Sequence, residues 1–248
     1  MSMTGRFAIV GPEMEDFETP DLAFCQKPPR RKPFLTMLST PDSLARTVGD
    51  LDFERGELLG VSNQGEVRRF QIDGLDVAIK QPKGRGLAWT LRAASLKHEY
   101  KAYQRLRGLA GLPVCHGLFP GPRLVLNFVE GQALRDAAIA REDPYFTALL
   151  ALIRALHDRG VAHGDLKRKA NLLVDLQGRP VILGFGTATL HTPGRHPVNQ
   201  RLFRLIEQTD LNAWVKLKYG GYQGLSEEDR RLLKRTGVER WLGRLRRR

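Results

Sequence analysis

The segment Val161–Val174 concentrates the residue types best suited to chemistry. It contains His163-Gly164-Asp165-Leu166-Lys167-Arg168-Lys169-Ala170-Asn171. Asp165 can serve as a base or orienter for an attacking hydroxyl, and Lys167 can neutralise charge on a transferring phosphoryl group. Asn171 can hold a metal. Upstream, Leu96, Tyr100, Tyr103 and Leu106 form an apolar stripe at helical spacing, and Glu99 falls inside it. A carboxylate in such a stripe is costly unless paired. Lys80, ending a strand 19 positions earlier, is the candidate partner. Together they could set an ammonium against a nucleotide's phosphates; two unrelated surface charges are the plainer alternative. Gly60-Val61-Ser62-Asn63-Gln64-Gly65-Glu66-Val67 precedes that strand. Its glycines let backbone N–H groups approach phosphate oxygens closely, although many hairpins carry two glycines. No Gly-Lys-Ser/Thr follows, which excludes a P-loop.

The elements that position these residues follow from pattern. Leu75, Val77 and Ile79 alternate with Asp76, Ala78 and Lys80, a period of two that predicts a strand. Residues 87–109 read as helix. The apolar run Arg123–Val129 suits a buried strand. Tyr145–Asp158 is predicted as a helix, with Leu149, Leu152, Ile153 and Leu156 on one face and Gly160 as its left-handed cap. Leu172–Asp175 and Pro180–Leu183 flank Gln177-Gly178 as a hairpin. From Gln200 the chain reads as helical to its end. Strands come first and helices afterwards, which predicts an α+β arrangement of two lobes. No internal repeat is visible.

The chain has 248 residues, enough for one large domain or two small lobes around a cleft. No apolar run approaches the roughly 20 residues that span a bilayer. Glu13, Glu15, Asp16 and Glu18 follow Arg6 with no apolar core, so a secretory signal is not expected. Cys25 and Cys115 form neither a disulfide framework nor a metal pair, which fits a reducing compartment. Residues 1–50, with Pro28, Pro29 and Pro33 in a basic cluster, read as a poorly ordered N-terminal extension. An arm docking through Phe34, Leu35 and Leu38 is the alternative. The net charge is +13, and Lys234–Arg248 carries seven basic residues against Glu239. Such a surplus favours polyanions: nucleotide phosphates, nucleic acid or an anionic membrane face. His157, His163, His191 and His196 make no recognisable zinc set.

The order of glycine-rich hairpin, Val77-Ala78-Ile79-Lys80, Glu99, apolar strand, helix and His163-Gly164-Asp165 resembles the protein-kinase-like fold. The resemblance runs from about Leu58 to Gly186. It implies a small β-rich N-lobe over about 51–130, an abbreviated helical C-lobe over about 131–233 and a basic tail at 234–248. It also implies that Gly60, Ser62, Gly65 and Val67 cover ATP phosphates and that Lys80, paired with Glu99, binds them. Leu126 to Val129, including Phe128, would form the hinge beside adenine. Asp165 and Lys167 would be the catalytic pair, and Asn171 would hold Mg²⁺ or Mn²⁺. A lysine two positions after Asp165 resembles the Ser/Thr type. Two departures stand out. Asn171 lies six positions after Asp165 where the family has five, and Gly184-Phe185-Gly186 stands where the family has Asp-Phe-Gly. Glycine brings no metal ligand.

Gly164 replaces the arginine that reads an activation-loop phosphate in the family, and no Ala-Pro-Glu follows Gly186. The His-Gly-Asp-Leu form and short C-lobe resemble small bacterial kinases of the RIO-type and lipopolysaccharide-core branch. Asp210 would tie its helix to the catalytic loop, or equally serve as a helix N-cap. The resemblance thus implies an ATP-dependent phosphotransferase acting on a hydroxyl acceptor, either protein Ser/Thr or a lipopolysaccharide-core sugar. A nucleotide-binding pseudokinase serving as scaffold is the alternative. A cytoplasmic protein is expected. The basic tail, with Trp241, Leu242 and Leu245 among arginines, would touch an anionic inner membrane face, with nucleic acid the weaker partner. Packing of that tail on the domain is the simpler reading.

Overall fold

The computed structural model describes residues 41–62, 64–194 and 197–234. The acidic and proline-rich segments before residue 41 and the tail arginines lie outside them. The chain is mixed α and β; the main sheet lies in the first half, but helices α1 and α2 accompany it and short strands recur among the later helices, so the expected order of strands first and helices afterwards does not hold strictly. It opens with helix α1 (Pro41–Asp50). Residues 41–50 are therefore not part of a poorly ordered extension. Leu44 and Val48, one helical turn apart, are both buried. They join Phe53, Ile72, Val77, Ile79 and Val125 in one apolar cluster.

Three strands follow, β1 (Glu57–Ser62), β2 (Gly65–Ile72) and β3 (Leu75–Gln81). Asp73 and Gly74 both have positive φ, the two-residue turn whose twist suits a tight hairpin. Helix α2 (Gly86–Arg105) comes next, then β4 (Cys115–Phe119) and β5 (Arg123–Asn127). These five strands form one antiparallel sheet in the order β1-β2-β3-β5-β4. The alternation read from β3 decides its two faces. Val77 and Ile79 are fully buried on the α1 side, while Ala78 and Lys80 point the other way.

The second half holds β6 (Gly131–Ala133), α3 (Pro144–Asp158), β7 (Val161–Ala162), β8 (Leu172–Asp175), β9 (Pro180–Ile182), β10 (Thr189–Leu190), α4 (Pro197–Tyr219) and α5 (Glu227–Leu232). Strands β6, β8 and β9 pair antiparallel, and β7 pairs with β10. Asp143 caps α3 by accepting from the Tyr145 N–H at 2.8 Å, with Pro144 at the first helical position. The α3 stripe Leu149, Leu152, Ile153 and Leu156 is buried in the larger core with Leu96, Tyr103, Phe185 and Trp214. The Trp214 indole donates to Phe146 O at 2.7 Å, tying α4 to α3. The continuous terminal helix expected from Gln200 is interrupted. A non-helical stretch with Gly220, Gly221 and Gly224 separates α4 from α5, because glycine favours the left-handed turn and not the helix interior.

Candidate functional site

Lys80 and Glu99 meet. The Lys80 Nζ lies 2.7 Å from Glu99 Oε2, with the two side chains 10% and 2% exposed. The carboxylate inside the α2 stripe is thus answered by the ammonium on the face of β3 opposite α1. Removing one partner of such a pair leaves a buried charge and costs roughly 3–5 kcal/mol. Strand register sets what stands beside it. Val67 is directly opposite Lys80, and Leu126 is directly opposite Ala78, so Val67, Ala78, Lys80 and Leu126 share one face. Phe128 follows β5. Its N–H donates to Asp76 O at 2.9 Å, and the Arg69 guanidinium stands 4.0 Å from its ring centre.

Gly60 lies in β1 at a bulge, paired with Val67. Ser62 ends β1. Its hydroxyl accepts from the Gln64 N–H at 3.2 Å and donates to Gly65 O at 3.3 Å. A side chain at Gly65 would collide with the Gln81 carbonyl, so only glycine lets β2 leave the turn this close to β3. The Gln64 side chain, given no role by the sequence reading, is also in the site. Its Oε1 accepts from Lys80 Nζ at 2.8 Å.

The Asp165 loop is held from below. Asp210, fully buried within α4, accepts from the His163 N–H at 2.7 Å and the Gly164 N–H at 2.9 Å. His157 Nε2 lies 3.0 Å from the same carboxylate. Asp210 sits mid-helix, so the tie to the loop is its role and the N-cap alternative falls. The His163 ring donates from Nε2 to Leu183 O at 2.9 Å and accepts the Asp165 N–H at Nδ1, 3.1 Å away. His163 and Tyr103 each pack against the Phe185 ring, with centres 5.0 and 5.1 Å apart. This stack runs from α2 to the Asp165 loop. Burial first, and then the Glu99 charge, drives the Tyr103 phenol well above its ordinary pKa. Ser95 Oγ donates to Gly186 O at 3.4 Å and His98 Nε2 to Ala188 O at 2.6 Å, so α2 also grips the turn that follows β9.

Asn171 reaches Asp165 despite the extra residue. A short 3-10 turn at Lys169–Asn171 absorbs it. The Asn171 amide then donates to Asp165 O at 3.0 Å and to Oδ2 at 3.1 Å. Gly184 has φ +75°, and a Cβ there would stand 3.2 Å from Asn171 Oδ1. Lys167 is exposed beside buried Leu166.

These residues do not fit the divalent cation that the resemblance implies. Gly184 offers no side-chain donor, which leaves Asn171 Oδ1 facing it without the carboxylate that the family pairs with this asparagine, while the Asn171 NH₂ is turned to Asp165. Among the described residues no cluster of three His, Cys, Asp or Glu side chains is placed to hold a metal ion. Asp175 is no substitute: it sits at the far end of the β8–β9 hairpin, bound to Arg179 at 2.9 Å. Burial pushes the Cys115 thiol up to about 11, so it is no thiolate nucleophile at neutral pH.

Missing from the sequence reading were Gln64, the Tyr103–Phe185–His163 stack, Ser95 and His98. The stack has a weak signal, since Tyr103 lies one turn beyond Glu99. No protein-family model matches this sequence, and no curated protein matches it.

Proposed function

We propose that this protein is an ATP-dependent phosphotransferase with a two-lobed, protein-kinase-like architecture. The observation that carries the proposal is the buried Lys80–Glu99 pair, set on the sheet face that also bears Val67 and Leu126. Adenine would lie against the apolar side chains of that face, with Leu126 to Val129 and Phe128 at its edge. The phosphates would reach Lys80 beneath the Gly60–Gly65 turn. Asp165, steadied by His163, Asn171 and Asp210, would orient the acceptor hydroxyl and take its proton as the oxygen attacks the γ-phosphorus. The bond to ADP then breaks, and ADP leaves with its electron pair. Lys167 would stabilise charge on the transferring group. Phosphate charge would be met mainly by lysines, so metal use departs from the family's.

The acceptor is a hydroxyl of a protein Ser/Thr or of a lipopolysaccharide-core sugar. The short stretch between Gly186 and α4 leaves little platform for a peptide and favours the sugar. The protein would work in the cytoplasm, with the basic tail at 234–248 as its one route to an anionic inner membrane face; among the described residues no helix is long and apolar enough to cross a membrane. Gly184 favours a second reading, a nucleotide-binding scaffold without catalysis. Transfer from γ-labelled ATP to core sugars and to added protein separates the two. Asp165→Ala is expected to lower transfer about 10²–10⁴-fold. An unchanged cellular role for Asp165→Ala would favour the scaffold.

A further inference from the structure

We infer that Gln64 is an internal ligand of the Lys80 ammonium, occupying the seat that an anionic phosphate oxygen would take and leaving it when such a ligand enters. The inference deepens the proposed nucleotide site and rests on that reading only for the identity of the incoming anion. An ammonium has three donors. One is taken by Glu99 Oε2 at 2.7 Å and a second by the Gln64 amide oxygen at 2.8 Å. With both in place Lys80 is 8% exposed.

Three features aim the amide inward. The Ser62 hydroxyl accepts the Gln64 N–H and binds Gly65 O, closing the turn on itself. Gly65 brings β2 against the Gln81 carbonyl, and Val67 stands opposite Lys80, so the turn lies over the lysine. On the other side the Gln64 amide nitrogen packs against Gly186, where any Cβ would collide with it. Gly186 follows Gly184, which lies beside the Asn171–Asp165 pair. The amide therefore bridges the sheet and the Asp165 side of the site, with its carbonyl on Lys80 and its NH₂ at Gly186. A neutral carbonyl satisfies Lys80 without adding charge, so a phosphate oxygen with formal charge outcompetes it. A carboxylate at the same position would not be displaced as readily.

The test uses the full chain as wild type, Gln64→Ala, Gln64→Glu and Gly186→Ala. The Gly186→Ala methyl would push the amide aside without removing it. Acylation of Lys80 by a small anhydride, read by mass spectrometry, reports its exposure without any nucleotide. Inorganic tripolyphosphate and ATP, titrated by calorimetry, report the seat. Gln64→Ala and Gly186→Ala are expected to speed Lys80 acylation. Gln64→Ala is expected to tighten both anions by about tenfold, the effect of one hydrogen bond to a charged group. Gln64→Glu is expected to slow acylation and weaken both anions to a similar degree. Equal acylation rates in all four proteins would overturn the inference, as would equal anion affinities in wild type and Gln64→Ala. Acylation that follows Gln64 while no protein binds ATP or tripolyphosphate would uphold the internal contact and overturn the nucleotide reading instead.

Discussion

At the scale of the residue, Gly184 is the most consequential position. Its φ of +75° is one that aspartate tolerates better than most side chains, at a cost of roughly 1–2 kcal/mol. Its hypothetical Cβ points at Asn171 Oδ1, 3.2 Å away, so an introduced carboxylate would stand beside an existing oxygen donor. Gly184→Asp is therefore expected to strengthen the dependence of ATP binding on Mg²⁺. ATP affinity should rise about tenfold on adding Mg²⁺ to the variant, the gain from one charge-assisted contact. In the native protein the same addition should change it less. Calorimetry in EDTA and then Mg²⁺ checks this. A Gly184→Asp protein that folds and shows no added Mg²⁺ response would mean that Asn171 Oδ1 is not a donor.

At the scale of the element, α4 organises the second half of the chain. Trp214 ties it to α3, Asp210 holds the Asp165 loop, and its last turn carries α5. The α5 contact has a pH signature. Burial alone would raise the Asp229 carboxyl, but the Lys218 ammonium at 2.7 Å and the Tyr219 hydroxyl at 2.6 Å outweigh it and hold the pKa below 3.8. A depressed carboxyl stabilises the folded form above the unfolded value. That contribution is complete above about pH 5 and is lost progressively as pH falls through the unfolded and then the folded value. Hydrogen-exchange protection across 227–232, with the intrinsic pH dependence of exchange divided out, should fall over that acid window in the native protein and change less in Asp229→Asn. A native pH response no larger than that of Asp229→Asn would contradict the assignment. Elements with strong period were legible in the sequence, and this is why α3 and β3 fall where expected, while the β8–β9 hairpin was legible from the Gln177-Gly178 turn between its strands. Glu99 was legible because a charge inside an apolar stripe demands a partner. Helix α1 was not, since among its described side chains only Leu44 and Val48 mark a buried face and a proline-rich basic run precedes it in the sequence. Gln64 was not, because an amide at a turn has no period and its contact depends on the register of β2 against β3. The Asn171–Asp165 contact depends on a 3-10 turn that spacing alone does not reveal.

At the scale of the whole molecule, a net charge of +13 attracts polyanions without regard to their identity, and that attraction is screened by salt. A defined site differs from this background by depending on one lysine among the forty Lys and Arg residues. The most direct measurement is ATP affinity by calorimetry for the full chain and for Lys80→Ala, at physiological salt. The native protein is expected to bind ATP and Lys80→Ala to bind it about 10–100-fold more weakly, the effect of removing a charge-assisted contact to phosphate. Absence of binding in the native protein, or equal binding by Lys80→Ala, would contradict a nucleotide site centred on the Lys80–Glu99 pair.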